Sequence, residues 1–206
     1  MKKYAFLILM IVSLSCKDKK NETVAENKTE TPVPKVADDS VKDSAEIRTV
    51  VMGFYNWYNK NYTRFQEYNL YSSIRKKDLP PYKINWDVVE KYQQFIKTAA
   101  PQLGDAFMSN QRSFFRQCDS AFKVDVEDDI PYGFDYDWYT NSQEDPQYLL
   151  DGINKSGKWM INIKGDDATV EIGAPEDKNY TSGSLLIQLD LKKESGQWKI
   201  AKIGND

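Results

Sequence analysis

The period of apolar residues changes once along this chain, and that change restricts the fold more than any other feature. Ile47, Val50, Val51, Phe54, Tyr55, Tyr58 and Tyr62 recur three and four apart, the spacing that puts side chains on one helix face. They predict a helix from about Ala45 to Phe65. Much later, Trp159, Ile161 and Ile163 alternate with polar or flexible neighbours, as do Ala168, Val170 and Ile172. Leu185, Ile187, Leu189 and Leu191 continue the pattern, and Trp198 and Ile200 end it. A period of two belongs to strands with one buried face. Helices first and an antiparallel meander second define an α+β domain, in which the sheet hides its apolar face beneath the helices.

Between these regions Leu79-Pro80-Pro81 interrupts any helix, and Asn85 is placed to cap the next one. Val88, Tyr92, Phe95, Ile96 and Ala99 give that second helix, which Pro101 stops. Leu103, Phe107, Phe114, Cys118 and Phe122 predict a third, bent near Ser109-Asn110.

The amino-terminal run MKKYAFLILMIVSLSC has a basic start and an eleven-residue apolar stretch from Tyr4 to Leu14. A spanning helix needs about 20 apolar residues, so this stretch reads as a secretory signal. Ser-Leu-Ser-Cys16 resembles a bacterial lipobox. The resemblance implies a signal peptide over 1–16, a lipid on Cys16, and anchoring at the outer membrane or cell surface through that lipid alone. The charged tract Lys17 to Lys20 resembles the surface-export signals of Bacteroidetes lipoproteins. Residues 17–45 contain no aromatic and predict a disordered tether, because they bury too little apolar surface to offset their ordering entropy. Ser40 and Ser44, in Asp39-Ser40-Val41 and Asp43-Ser44-Ala45, resemble Bacteroidetes O-glycosylation sites. The remaining residues, 46–206, suit a single domain with its own core.

Val51-x-x-Phe54-Tyr55-x-Trp57-Tyr58 and Asp135-x-Asp137-x-x-x-x-Ser142-Gln143-Glu144 resemble a bacterial family known as domain of unknown function 3828. With the closing strand Gly196-Gln197-Trp198-Lys199-Ile200-Ala201-Lys202-Ile203, they are similar to nuclear transport factor 2-like, or cystatin-like, cones. The resemblance implies amino-terminal helices packed on a curved antiparallel sheet, with a cavity between the first helix and the concave sheet. It implies a lipoprotein habit but no settled activity.

From Val124 to Asn154 there are nine carboxylates and no Lys or Arg. A solvated connection, or Asp side chains bonding their own loop, accounts for such a run without any ligand. Asp125, Glu127 and Asp129 match a helical-hairpin calcium loop at its first positions, but Ile130 and Tyr136 stand where Gly and Glu are required. No metal and no other cofactor is therefore expected. On the helical line Trp57, Asn61, Arg64 and Tyr68, Arg64 is placed to pair with Asp135 or Asp137. Trp57, Arg64, Asp135, Asp137, Trp138, Gln143 and Glu144 are the candidate ligand contacts, suited to a small envelope ligand or a protein partner.

There is no histidine, so the commonest general base is missing. Cys118, in an apolar line with no activating His, reads as an inert buried thiol. With formal charge −3 and no basic block, nucleic acid is excluded as a partner. A non-catalytic binding domain follows. The alternatives are a glycan hydrolase using Asp135 and Asp137 as acid and base, and an inhibitor or immunity-type protein docking a cationic partner on the acidic stretch.

Overall fold

The computed structural model describes residues 36–75, 79–124 and 130–204. Cys16 and the acids Asp125, Glu127, Asp128 and Asp129 lie outside them. Among the described residues, helix α1 (Val36–Asn61) is followed by a 3-10 turn (Tyr62–Arg64) and a short hairpin of β1 (Tyr71–Ser73) and β2 (Tyr82–Ile84). Helices α2 (Trp86–Ala99), α3 (Asp105–Ala121) and α4 (Pro146–Lys155) come next. The chain ends in β3 (Trp159–Lys164), β4 (Asp167–Gly173), β5 (Leu185–Glu194) and β6 (Gln197–Ile203).

The carboxy-terminal strands form an antiparallel meander in the order β3-β4-β5-β6. Their register sets Ile172 opposite both Trp159 and Ile187, and Leu191 opposite Ala168 and Ile200. The alternation therefore adds up across strands, and Val170, Ile172, Leu189, Leu191, Trp198 and Ile200 share one buried face. Helices α1 and α3 lie against β6, and α4 packs on α1 and β5. Register shifts at Ile172/Gly173 and Asp190/Leu191 are irregularities of the kind that increase a sheet's twist. The α+β class is as expected from the two periods.

Several local expectations are corrected. Helix α1 starts at Val36, not near Ala45, so the last part of the expected tether is helical. Asp43 explains why that part orders: its Oδ1 accepts from Lys193 Nζ at 2.7 Å and from Trp198 Nε1 at 3.0 Å. Ser40 and Ser44 consequently lie on α1 rather than in loose chain, Ser40 exposed and Ser44 half-buried. Helix α3 is unbroken, because Ser109 Oγ donates to Asp105 O one turn back and Asn110 Nδ2 donates to Ala201 O. Asn85 does stand at the start of α2, but its side chain accepts from Ser72 and donates to Asn69 O instead of capping the helix. The fourth helix is additional to the three expected. Asp145 caps it by accepting from Gln147 N at 2.7 Å, Pro146 occupies its first turn, and Leu149, Leu150 and Ile153 bury its inner face.

Candidate functional site

Aromatic rings from distant parts of the chain meet between α1, α2 and the 130–146 segment. Phe65 packs edge-on against Tyr58 (5.1 Å), Tyr139 (4.8 Å) and Tyr92 (6.0 Å). Their hydroxyls need partners in this apolar setting. Tyr92 Oη and Tyr139 Oη are 2.7 Å apart, and Gln111 Nε2 donates to Tyr139 Oη at 2.9 Å. Tyr58 Oη donates to Asp137 Oδ2 at 2.6 Å, while Tyr139 N donates to Asp137 Oδ1 at 2.8 Å. Burial raises the Asp137 carboxyl above the usual Asp range, and the bonds from Tyr58 and the Tyr139 and Thr140 backbone oppose that rise.

Over this floor lies an open cleft of about 1810 Å³. Its walls are the end of α1 with the 3-10 turn, the β1–β2 hairpin, and the segment from Ile130 to Pro146. Eight of its lining residues are tyrosines: Tyr58, Tyr62, Tyr68, Tyr71, Tyr82, Tyr92, Tyr136 and Tyr139. No residue of β3–β6 lines it, so the cleft is not the expected hollow between α1 and the sheet. The sheet's inner face carries core side chains, including Trp198 and Ile200.

Of the residues selected from sequence, Asp135, Asp137, Trp138, Gln143 and Glu144 all line the cleft. Trp57 and Arg64 do not. Trp57 is half-buried against Phe54 and Phe65, at 6.5 and 5.7 Å between ring centres. The Arg64 guanidinium lies over the Phe95 ring at 4.7 Å and donates to Asn61 Oδ1, so the expected pairing with Asp135 or Asp137 is not made. Trp138 serves mainly as a structural wedge: its Nε1 donates to Gly133 O at 2.6 Å and its ring packs on Phe115 and Phe134. Gln143 Nε2 donates to Asp135 O at 2.9 Å, closing the loop on itself.

Both Asp137 oxygens are thus engaged inside the protein. That suits a residue holding a loop better than one exchanging a proton with substrate. Cys118 is fully buried, and desolvation pushes its thiol up to about 12, which leaves it unreactive. Among the described residues no group of three His, Cys, Asp or Glu side chains is placed to hold a metal ion, and no helix is long and apolar enough to cross a membrane. Tyr62, expected on the buried stripe of the first helix, instead lines the cleft from the 3-10 turn, and the hairpin tyrosines Tyr71 and Tyr82 escaped sequence reasoning. Tyr71 follows Tyr68 closely in Tyr68-Asn69-Leu70-Tyr71, but strands of three residues are too short to show a period.

The fold and this site define an α+β domain with an open, tyrosine-walled, acidic cleft. No protein-family model matches the chain, and no curated protein matches it. Among solved structures, it is similar to a chain in a crystal structure of a type VI effector–immunity complex from Ralstonia pickettii. The identity is 17%, over 57% of this chain and 91% of that chain, with a TM-score of 0.31. A likeness of that degree bears on neither the function nor the detail of the fold.

Proposed function

We propose that this domain is a non-catalytic binding module, displayed at the cell envelope on a lipid at Cys16, and that the cleft takes its ligand. The observation that carries the binding role is the cleft itself. It is open, lined by aromatic faces and hydroxyls, and among its described residues the one carboxylate set below the surface, Asp137, is spent on holding the wall in place. Ligand sites are typically concave and largely preformed, with a few fixed polar groups among apolar walls. The hydrogen bonds from Tyr58 to Asp137 and from Gln111 to Tyr139 preform this one.

The anchor rests on the lipobox-like Ser-Leu-Ser-Cys16 alone. Labelling with palmitate, lost on Cys16→Ala, checks it; a native protein that takes no label ends that part of the proposal. The nuclear transport factor 2-like cone and kinship with domain of unknown function 3828 belong to the same proposal. A first helix lying on an irregular antiparallel sheet agrees with them.

Backbone chemical-shift mapping against a panel of envelope glycan fragments and short peptides tests the site. Shifts concentrated at Tyr68, Tyr71, Tyr136 and Gln143 are expected for at least one ligand. Shifts confined to the outer face of β3–β6, or none with any member, overturn the proposal.

A further inference from the structure

The charge of the cleft lining is one-sided. Of its 26 described residues, Asp135, Asp137, Glu144 and Asp145 are carboxylates and none is Lys, Arg or His. None of these four takes part in any ion pair among the described residues. Asp135, Glu144 and Asp145 are exposed at the cleft, Asp145 also capping α4 through Oδ1, so their charge is open to solvent there. The cleft is also larger than the roughly 300–1,000 Å³ usual for small-molecule pockets, and it is open, as a site for a length of chain must be.

A second hollow of about 150 Å³ adjoins it. Ser142, Glu144 and Asp145 line both, so they form a ridge with one concavity on each side. The small hollow is also lined by Leu186 and the stacked pair Tyr148 and Tyr180, whose ring centres are 4.7 Å apart. An apolar wall ending in carboxylates and hydroxyls matches a long basic side chain, which lays its stem on apolar surface and keeps its charged head among polar groups. The molecule already stacks its own arginines on aromatic rings, with Arg48 over Trp159 at 4.6 Å and Arg64 over Phe95 at 4.7 Å.

We infer that the ligand of this cleft is an extended basic segment of a protein partner, its main chain along the tyrosine wall and one Lys or Arg side chain in the hollow beyond the Glu144–Asp145 ridge. This rests on the cleft being the ligand site. Tyrosine faces attract guanidinium groups, exposed carboxylates bind them through paired hydrogen bonds, and tyrosine hydroxyls serve the peptide groups. A polyamine would satisfy the carboxylates but offers no peptide groups. A neutral oligosaccharide would leave the carboxylates without a counter-charge.

The test titrates the protein by calorimetry with hexa-arginine, hexaglutamate, spermine and a neutral hexasaccharide, at about 50 and 300 mM salt. Two variants accompany it. In E144Q/D145N the ridge loses charge while Asn keeps the helix cap. Thr181→Trp fills the small hollow from an exposed position. Unchanged melting temperatures show both variants folded. Hexa-arginine is expected to bind, hexaglutamate not to, and the higher salt to weaken binding. E144Q/D145N should lower the hexa-arginine affinity about tenfold, at a few-fold for each exposed carboxylate, and Thr181→Trp about threefold. Spermine binding as tightly as hexa-arginine overturns the peptide assignment. Binding that ignores both variants overturns the two-sided ridge. If the hexasaccharide binds in the cleft and hexa-arginine does not, this inference fails while the binding role survives.

Discussion

Tyr58 Oη donates to Asp137 Oδ2 at 2.6 Å, joining the end of α1 to the acidic segment across 79 residues of sequence. This contact gives the acidic segment its shape. Asp137 also accepts from Tyr139 N, and its backbone pairs with that of Ser142, so a tight reverse turn is fastened to the helix that forms the opposite wall. A carboxylate expected from sequence to contact a ligand, or in the alternative to act as acid or base, is here an anchor.

Asp137 and Asp43 should give opposite dependences of stability on pH. Burial raises Asp137, so its contribution to stability is greatest below the ordinary Asp value of about 3.9 and falls as pH rises through the raised value. Asp43 is lowered, first by the hydrogen bond from Lys193 and then by that from Trp198. Its contribution is present above the ordinary value and is lost as pH falls through the lowered one. In urea unfolding between about pH 3 and 7, Asp137→Asn should gain on the wild type as pH rises, and Asp43→Asn should lose ground. Two slopes of the same sign would contradict the structure.

Two buried tyrosines should respond differently to loss of a hydroxyl. Tyr55 Oη is buried and has no hydrogen-bond partner among the described residues, so Tyr55→Phe removes a desolvation cost and should raise stability by up to about 1 kcal/mol. Tyr139→Phe takes the shared partner from Tyr92 Oη and Gln111 Nε2, both buried, and should cost about 1–3 kcal/mol. Guanidinium unfolding of the two single variants decides it. Equal losses from both would show that Tyr55 has a partner in solution.

Glu194 caps α3 from the end of β5, its carboxylate accepting from Asp105 N at 2.8 Å and Ala106 N at 3.0 Å. Gly104 makes room for it: a Cβ there would fall 2.7 Å from Glu194 Cδ, although the Gly104 backbone itself is ordinary. Glu194→Ala and Gly104→Ala should therefore each cost about 1 kcal/mol, the value of a lost helix cap. Together they should cost little more than either alone, because the second substitution has nothing left to displace. Additive losses in thermal unfolding would refute this coupling.

The element types were legible because period is a local property. Val51, Phe54, Tyr55 and Tyr58 fall on one side of any helix, and Ile187, Leu189 and Leu191 on one side of any strand, whatever surrounds them. The fourth helix has a sequence signature too, Asp145-Pro146 ahead of Leu149, Leu150 and Ile153, but at ten residues it is short and sits inside the acidic run. The start of α1 was not legible. Residues near Asp43 are polar and poor in apolar surface, and they order where Lys193 and Trp198, 150 and 155 residues away, donate to the Asp43 carboxylate.

The sequence alone determined the body of the first three helices and the four carboxy-terminal strands, the α+β class, and which part of the chain carries the acids. Tertiary structure alone decided that the cleft stands between α1, the hairpin and the acidic segment rather than over the sheet, that Arg64 turns to Phe95, and that Asp137 turns to Tyr58. The reason is physical. Backbone geometry imposes a period on neighbours, whereas a charged or hydroxyl group takes whichever partner the distant chain brings within about 3 Å.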